Sequence, residues 1–172
     1  MSKVQVGPID LEETMKEGLL AQLDMVHTFF RNTAACLEEK DSTFHPHDGM
    51  FTVAQQIAHT AQSIDWFMAG GFGGGFDMNF EQHVIETNRC ASLTEAMAWF
   101  DRSIAAAKET IASKEDAELL APIPEGPIMG GAPRLAVVAG IADHTAHHRG
   151  ALTVYARGLG KTPSMPYGGE GV

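Results

Sequence analysis

The stretch Pro133 to Gly160, PRLAVVAGIADHTAHHRGALTVYARGLG, decides how this chain is read. Proline is a natural first helical residue and glycine a natural stop, so the pair brackets one long helix running to about Leu159. At about 100° per residue, with His144 at zero, Val137, Ile141, Leu152, Tyr155 and Leu159 fall between about 20° and 80°. His148 lies at about 40°, so His144 and His148 both sit inside the apolar stripe, and His147, at about −60°, flanks it. Burying two neutral imidazoles is unfavourable unless each finds partners. One turn apart, they can converge on one point, where a divalent cation accepts a lone pair from each. An i, i+4 histidine pair is a recurring ligand geometry on helices. The plainer alternative is a pair of satisfied core residues. His147 reads as a half-exposed flank residue, or as a group that orients a ligand or donates to substrate.

Three further helices precede this one. The first begins near Asp10, a capping residue with Glu12 and Glu13 at the positive end of the dipole. Leu11, Met15, Leu19, Val26, Phe30 and Leu37 carry its stripe, which Gln22 interrupts and which fades in Glu38-Glu39-Lys40-Asp41. Gly18 weakens this helix by about 1 kcal/mol relative to alanine. The second is predicted from near Asp48 to about Ala69, with Met50, Val53, Ile57, Ile64 and Met68 on one face. The run Gly70-Gly71-Phe72-Gly73-Gly74-Gly75 is expected to end it in a mobile loop whose phenylalanines drape over a neighbour. No Lys-Ser or Lys-Thr follows, so this is not a phosphate loop. The third opens on a Ser92–Glu95 capping box and continues through Leu93, Met97, Phe100, Ile104, Ala107 and Ile111. Asn79 to Arg89 has room for an extra turn or two, and the proline-rich connector Lys114–Gly131 for a short hairpin. The sum is an all-α protein, a four-helix bundle in one domain over residues 1–172. Its long connectors argue against a simple up-down order.

Composition narrows the partners. In 172 residues, 22 Asp and Glu outweigh 12 Lys and Arg, and a net charge of −10 repels phosphate and anionic lipid, so neither nucleic acid nor membrane is expected. No apolar run reaches the roughly 18 residues of a membrane span. Met1 to Asp10 lacks an apolar segment, so no signal peptide is expected, and a cytoplasmic setting is the default. Cys36 and Cys90 suggest small buried hydrophobes rather than a disulfide. The eight histidines are the compositional oddity.

A third metal ligand must come from another helix. His59, the lone histidine of the second helix, is the candidate, although its face lies about 150° from the aliphatic stripe. Ser63 and Trp66 share that face, and a bundle helix can touch two partners. His45 and His47, flanking Pro46, are rivals. His27 and His83 read as surface or core-edge residues. Asp65 and Asp143 could orient an imidazole, or simply be solvated. Arg149 could bind an anionic substrate group or tie its helix to a neighbour.

The string His144-x-x-x-His148-Arg149-Gly150, then Tyr155-x-Arg157-x-x-Gly160-x-x-Pro163 and Tyr167-Gly168, resembles the DinB family of DinB/YfiT-like metalloenzymes. His59 with Asp65-Trp66, the Gly- and Phe-rich loop and the proline-rich connector fit the same pattern, so the likeness runs from Leu11 to Gly168. It implies a four-helix bundle of unusual helix order, often a homodimer. It also implies a divalent metal held by three histidines, here His59, His144 and His148. Ala151 departs from the pattern, since glutamine commonly follows the Arg-Gly pair. Related members carry out transfer and isomerisation with low-molecular-weight thiols, and the family is associated with stress or DNA-damage induction.

The expectation is therefore a metal-dependent hydrolase or thiol-dependent transferase acting on a small organic substrate, with a low-molecular-weight thiol as the candidate partner. Three imidazoles suit Zn, Ni, Mn or Fe and leave positions open for substrate. The alternatives are a non-catalytic, stress-associated metal-binding bundle and a metal-free bundle whose histidine face binds an organic ligand. No Ser-His-Asp or Cys-His constellation competes.

Overall fold

The computed structural model describes residues 11–168. The chain runs through α1 (Leu11–Ala34), a 3₁₀ turn (Glu39–Asp41), α2 (Val53–Phe72), α3 (Phe80–Arg89), α4 (Leu93–Ser113), α5 (Asp116–Leu120) and α6 (Ala136–Gly158). The expected Asp10 cap lies outside the described residues. The protein is all-helical, with β pairing among the described residues confined to one antiparallel bridge, Pro122 to Pro133. The hairpin expected in the connector shrinks to that bridge, held by Ile123 N–H donating to Ala132 and Gly131 N–H donating to Ile123.

Four long helices, α1, α2, α4 and α6, form the bundle. α2 packs on α4 and α6, and α1 packs on the same two, so α1 and α2 lie diagonally although they are consecutive. The connector 35–52 makes that crossing possible, and it is pinned rather than free. The carboxylate of Glu39 accepts from the backbone N–H and hydroxyl of Thr94, at 2.9 and 2.7 Å, satisfying donors in the first turn of α4. Those hydrogen bonds hold the Glu39 carboxyl down at about 2. Buried Asp41 pairs with Lys161 beyond the end of α6. The run in which the apolar pattern fades is thus a clamp between helix ends.

Between the four helices, Leu23, Phe30, Ile57, Ile64, Phe100, Ile111, Ile141 and Leu152 are all within 1% of complete burial. Phe30 and Phe100 stack at 4.3 Å across α1 and α4. Beside them, His27 and Arg31 both bond Asp101, at 2.8 and 2.6 Å, so His27 is indeed a core-edge residue.

Several boundaries differ from the sequence reading. α6 starts at Ala136 rather than at Pro133, because Pro133 pairs with Pro122 in the antiparallel bridge. α1 ends at Ala34 and leaves Leu37 beyond it. α2 starts at Val53, not near Asp48, because Thr52 and Gln55 form a reciprocal capping box. Met50 is therefore left outside, half exposed. At the other end, α2 does not stop at Ala69 but continues through Gly70 and Gly71 to Phe72. These glycines let neighbours in. A Cβ on Gly71 would lie 2.7 Å from a methyl of Val137 on α6, and one on Gly70 would run into the ring of Phe76. Close packing offsets the roughly 1 kcal/mol that each glycine costs a helix. Phe76, from the loop that follows, does drape over its neighbours, packing on Trp66 at 4.7 Å.

Glycine replacement separates the two roles. Gly18 in α1 faces open space, whereas Gly71 meets Val137. Gly18→Ala is expected to stabilise the protein by about 0.5–1 kcal/mol, and Gly71→Ala to destabilise it by about 1–3 kcal/mol. Urea unfolding of the two variants checks this, and equal effects would contradict it.

Candidate metal centre

α2 and α6 run antiparallel. Their contacts proceed in opposite order along the two helices: Phe51, just before α2, with Tyr155, then Gln56 and His59 with His148, Phe67 with Gly140, and Gly71 with Val137. α2 must bury two faces because it packs on two helices, and the face bearing Gln56 and His59 is the one that meets α6. This places His59 opposite the histidine pair although it lies off the aliphatic stripe.

The imidazoles of His59, His144 and His148 converge. One nitrogen from each lies within 4.8 Å of the other two. The ring centres are 5.3 Å apart for His59–His144, 4.7 Å for His59–His148 and 4.4 Å for His144–His148. Nε2 of His144 and Nε2 of His148 are 3.1 Å apart. Two imidazole nitrogens on one tetrahedral zinc, at about 2.05 Å each, would be roughly 3.3 Å apart. Donor type, number and spacing thus fit a divalent first-row ion.

Electrostatics favours lone pairs over protons. Burial, reinforced by the neighbouring imidazoles, pushes His148 down to about 3 and His144 down to about 4. His59 is lowered as well, first by burial and then by His147 and His83. All three are neutral at pH 7, the form in which histidine binds a metal.

The walls are aromatic. The Phe51 ring is 5.3 Å from His59, and the Phe67 ring 6.3 Å from His144. Phe67 fits there because Gly140, one turn before His144, has no side chain: a Cβ would lie 2.7 Å from that ring. Trp66 and Phe76 close in behind, and a cavity of about 180 Å³ lined by Gly70, Phe76, Met78, Ile123 and Pro124 opens beside them.

The other candidates stand elsewhere. His45 and His47 are exposed in the connector and bond backbone carbonyls there, at 3.0 and 2.9 Å. His147 is exposed, its ring edge-on to His148 at 4.9 Å. His83 is a core-edge residue, 3.2 Å from Asp77. Asp65 does not orient an imidazole; six residues beyond His59, it points away and accepts from the Trp99 indole at 2.8 Å, tying α2 to α4. Asp143 is exposed. Arg149 makes the helix tie: its guanidinium lies over Phe29 and Tyr167, 5.5 Å from each ring. Both cysteines are free, and burial raises both thiols. Sequence reading missed Gln56, which is 5% exposed and hydrogen-bonded to Nδ1 of His148. The available signal was its place three residues before His59, on the same helix face.

The DinB superfamily model matches residues 17–152. No curated protein matches the sequence. Among solved structures, the fold is similar to YfiT from Bacillus subtilis, described as a probable metal-dependent hydrolase with an unusual four-helix bundle topology. That likeness has a TM-score of 0.63 at 14% identity and covers 92% of this chain and 95% of the other.

The lowered histidines predict how stability depends on pH when chelator is present. An unfolded histidine titrates near 6.5, while folded His144 and His148 resist protons down to about 4 and about 3. Between those limits the unfolded chain binds more protons, so stability falls as pH drops from about 6.5 toward 4. The depressed carboxylates lose their contribution only at lower pH, near and below about 4. The melting temperature should be flat above pH 7 and fall between pH 6.5 and 5. The double variant His144→Gln, His148→Gln should flatten that slope; an equally steep slope in the variant refutes the assignment.

Proposed function

The chain belongs to the DinB superfamily, and from that premise we propose that it is a metal-dependent enzyme acting on a small organic substrate. His59, His144 and His148 would hold the ion. The observation that carries this reading is the convergence of three neutral imidazoles within 4.8 Å inside an aromatic wall. A bound Zn, Ni, Mn or Fe ion would supply Lewis acidity at its open positions, lowering the pKa of water or of a thiol and polarising a carbonyl.

The rest falls to the chain's own side chains. Phe51 and Phe67 offer an apolar surface to the substrate and reduce access of bulk water, which strengthens polar interactions inside. His147, exposed with its ring edge-on to His148, would be the side chain to orient a ligand or donate to substrate. Hydrolysis of an ester, amide or similar adduct is the leading reaction, in keeping with the description of YfiT. Transfer involving a low-molecular-weight thiol is the second, and the same donor set serves it.

Untagged protein loaded with Zn, Ni or Mn should hold about one ion per chain. His148→Ala should abolish uptake, and His147→Ala should leave it near the wild-type level. A screen of chromogenic esters and thiol adducts, with and without thiol, should give turnover that chelator removes and metal restores. Full metal content in His148→Ala would falsify the ligand set. Turnover indifferent to chelator would reject the metalloenzyme reading, and stoichiometric metal with no turnover across the screen would favour a non-catalytic metal-binding bundle.

A further inference from the structure

Gln56 is a buried carboxamide facing a buried imidazole. It lies on α2, one turn before His59, and its Nε2 faces Nδ1 of His148, 92 residues away. On the far side of the same ring, Nε2 of His148 faces Nε2 of His144 at 3.1 Å. Both nitrogens of His148 are therefore engaged, one by an amide and one at the centre of the cluster.

A neutral imidazole carries one N–H and one lone pair, so the partner at one nitrogen decides what the other can do. In the structure the nitrogen end of the carboxamide is toward the ring, and in that orientation Gln56 donates to Nδ1. The ring proton then sits on Nε2 and bridges to His144, and His148 has no lone pair to offer the centre. The two ends of a carboxamide have nearly the same shape, and a half-turn about the terminal torsion exchanges them. With Oε1 toward the ring, Gln56 accepts from Nδ1–H, and the Nε2 lone pair faces His59 and His144. Only the second arrangement makes the cluster a three-nitrogen donor set through Nε2 of His148.

We propose that Gln56 is a positioning residue that sets the tautomer of His148, committing its Nε2 lone pair to a divalent cation by accepting from Nδ1–H. This rests on the metal-binding reading above. Metal-bound imidazoles commonly give their other N–H to a fixed acceptor, and loss of that acceptor typically costs 10–100-fold in affinity. Burial sharpens the requirement, because an N–H left unbonded there has no water to turn to. A glutamate at the same position is an acceptor at both oxygens and needs no half-turn.

The test is zinc affinity of the full-length chain at neutral pH, measured by competition with a chromophoric chelator. Gln56→Leu should bind about 10–100-fold more weakly than wild type, and Gln56→Glu at least as tightly. Gln56→Leu within threefold of wild type, or Gln56→Glu as weak as Gln56→Leu, overturns the proposal. Long-range proton–nitrogen NMR of zinc-loaded wild-type protein provides a second readout should Gln56→Leu fail to fold. The proposal expects a proton on Nδ1 of His148 and none on Nε2; the reverse overturns it. Absence of zinc binding by wild-type protein overturns the metal reading itself, which separates the two failures.

Discussion

The seam between α2 and α6 is the constraint on which the rest depends. Two glycines let the helices approach: Gly71 admits Val137, and Gly140 admits Phe67. Large side chains interlocked with missing ones leave little freedom to slide, because interiors are packed at crystal-like density. With the register held there, His59 comes opposite His148 and Gln56 reaches Nδ1. Tyr155 closes the far end of the seam, its hydroxyl donating to the Phe51 carbonyl at 2.9 Å.

The same seam places polar groups where a bundle would ordinarily bury hydrocarbon. Gln56, Thr60, Ser63, Thr145 and His148 are all buried. Thr60 and Ser63 return their hydroxyls to carbonyls one turn back, at 2.9 and 2.8 Å, which meets their needs within α2. The imidazoles have no such local solution. They depend on one another, on Gln56, and on whatever accepts their lone pairs, which is why burial drives them so far from protonation. A stability cost borne at one place in a structure commonly marks a functional site.

Much was legible in local patterns. Most of the stripe positions of the four long helices, the Ser92 cap and the stop at Gly160 follow from periodicity and capping chemistry, and the structure keeps them, while Leu37 and Met50 fall outside their helices. The start of α2 was misplaced because the Thr52–Gln55 box lay inside what the apolar spacing alone joined together. The end of α2 was misplaced because glycine was read by its backbone entropy, whereas the Val137 and Phe76 side chains that occupy the space lie in other segments.

The amino-acid order by itself determined that His144 and His148 share a buried face, because the pitch of one helix fixes the angle between residues four apart. It also marked one long last helix stopping before Gly160 and the chain as a bundle of four, although it opened that helix at Pro133, three residues ahead of Ala136, where the chain still pairs with Pro122. It left the third histidine open among His45, His47 and His59, and it was silent on Gln56. Tertiary structure brought His59, and not His45 or His47, to the histidine pair, and Gln56 to His148, since the direction a side chain faces from α2 depends on which two helices flank it and in what register. That register is set by contacts between residues tens of positions apart, which no local periodicity encodes.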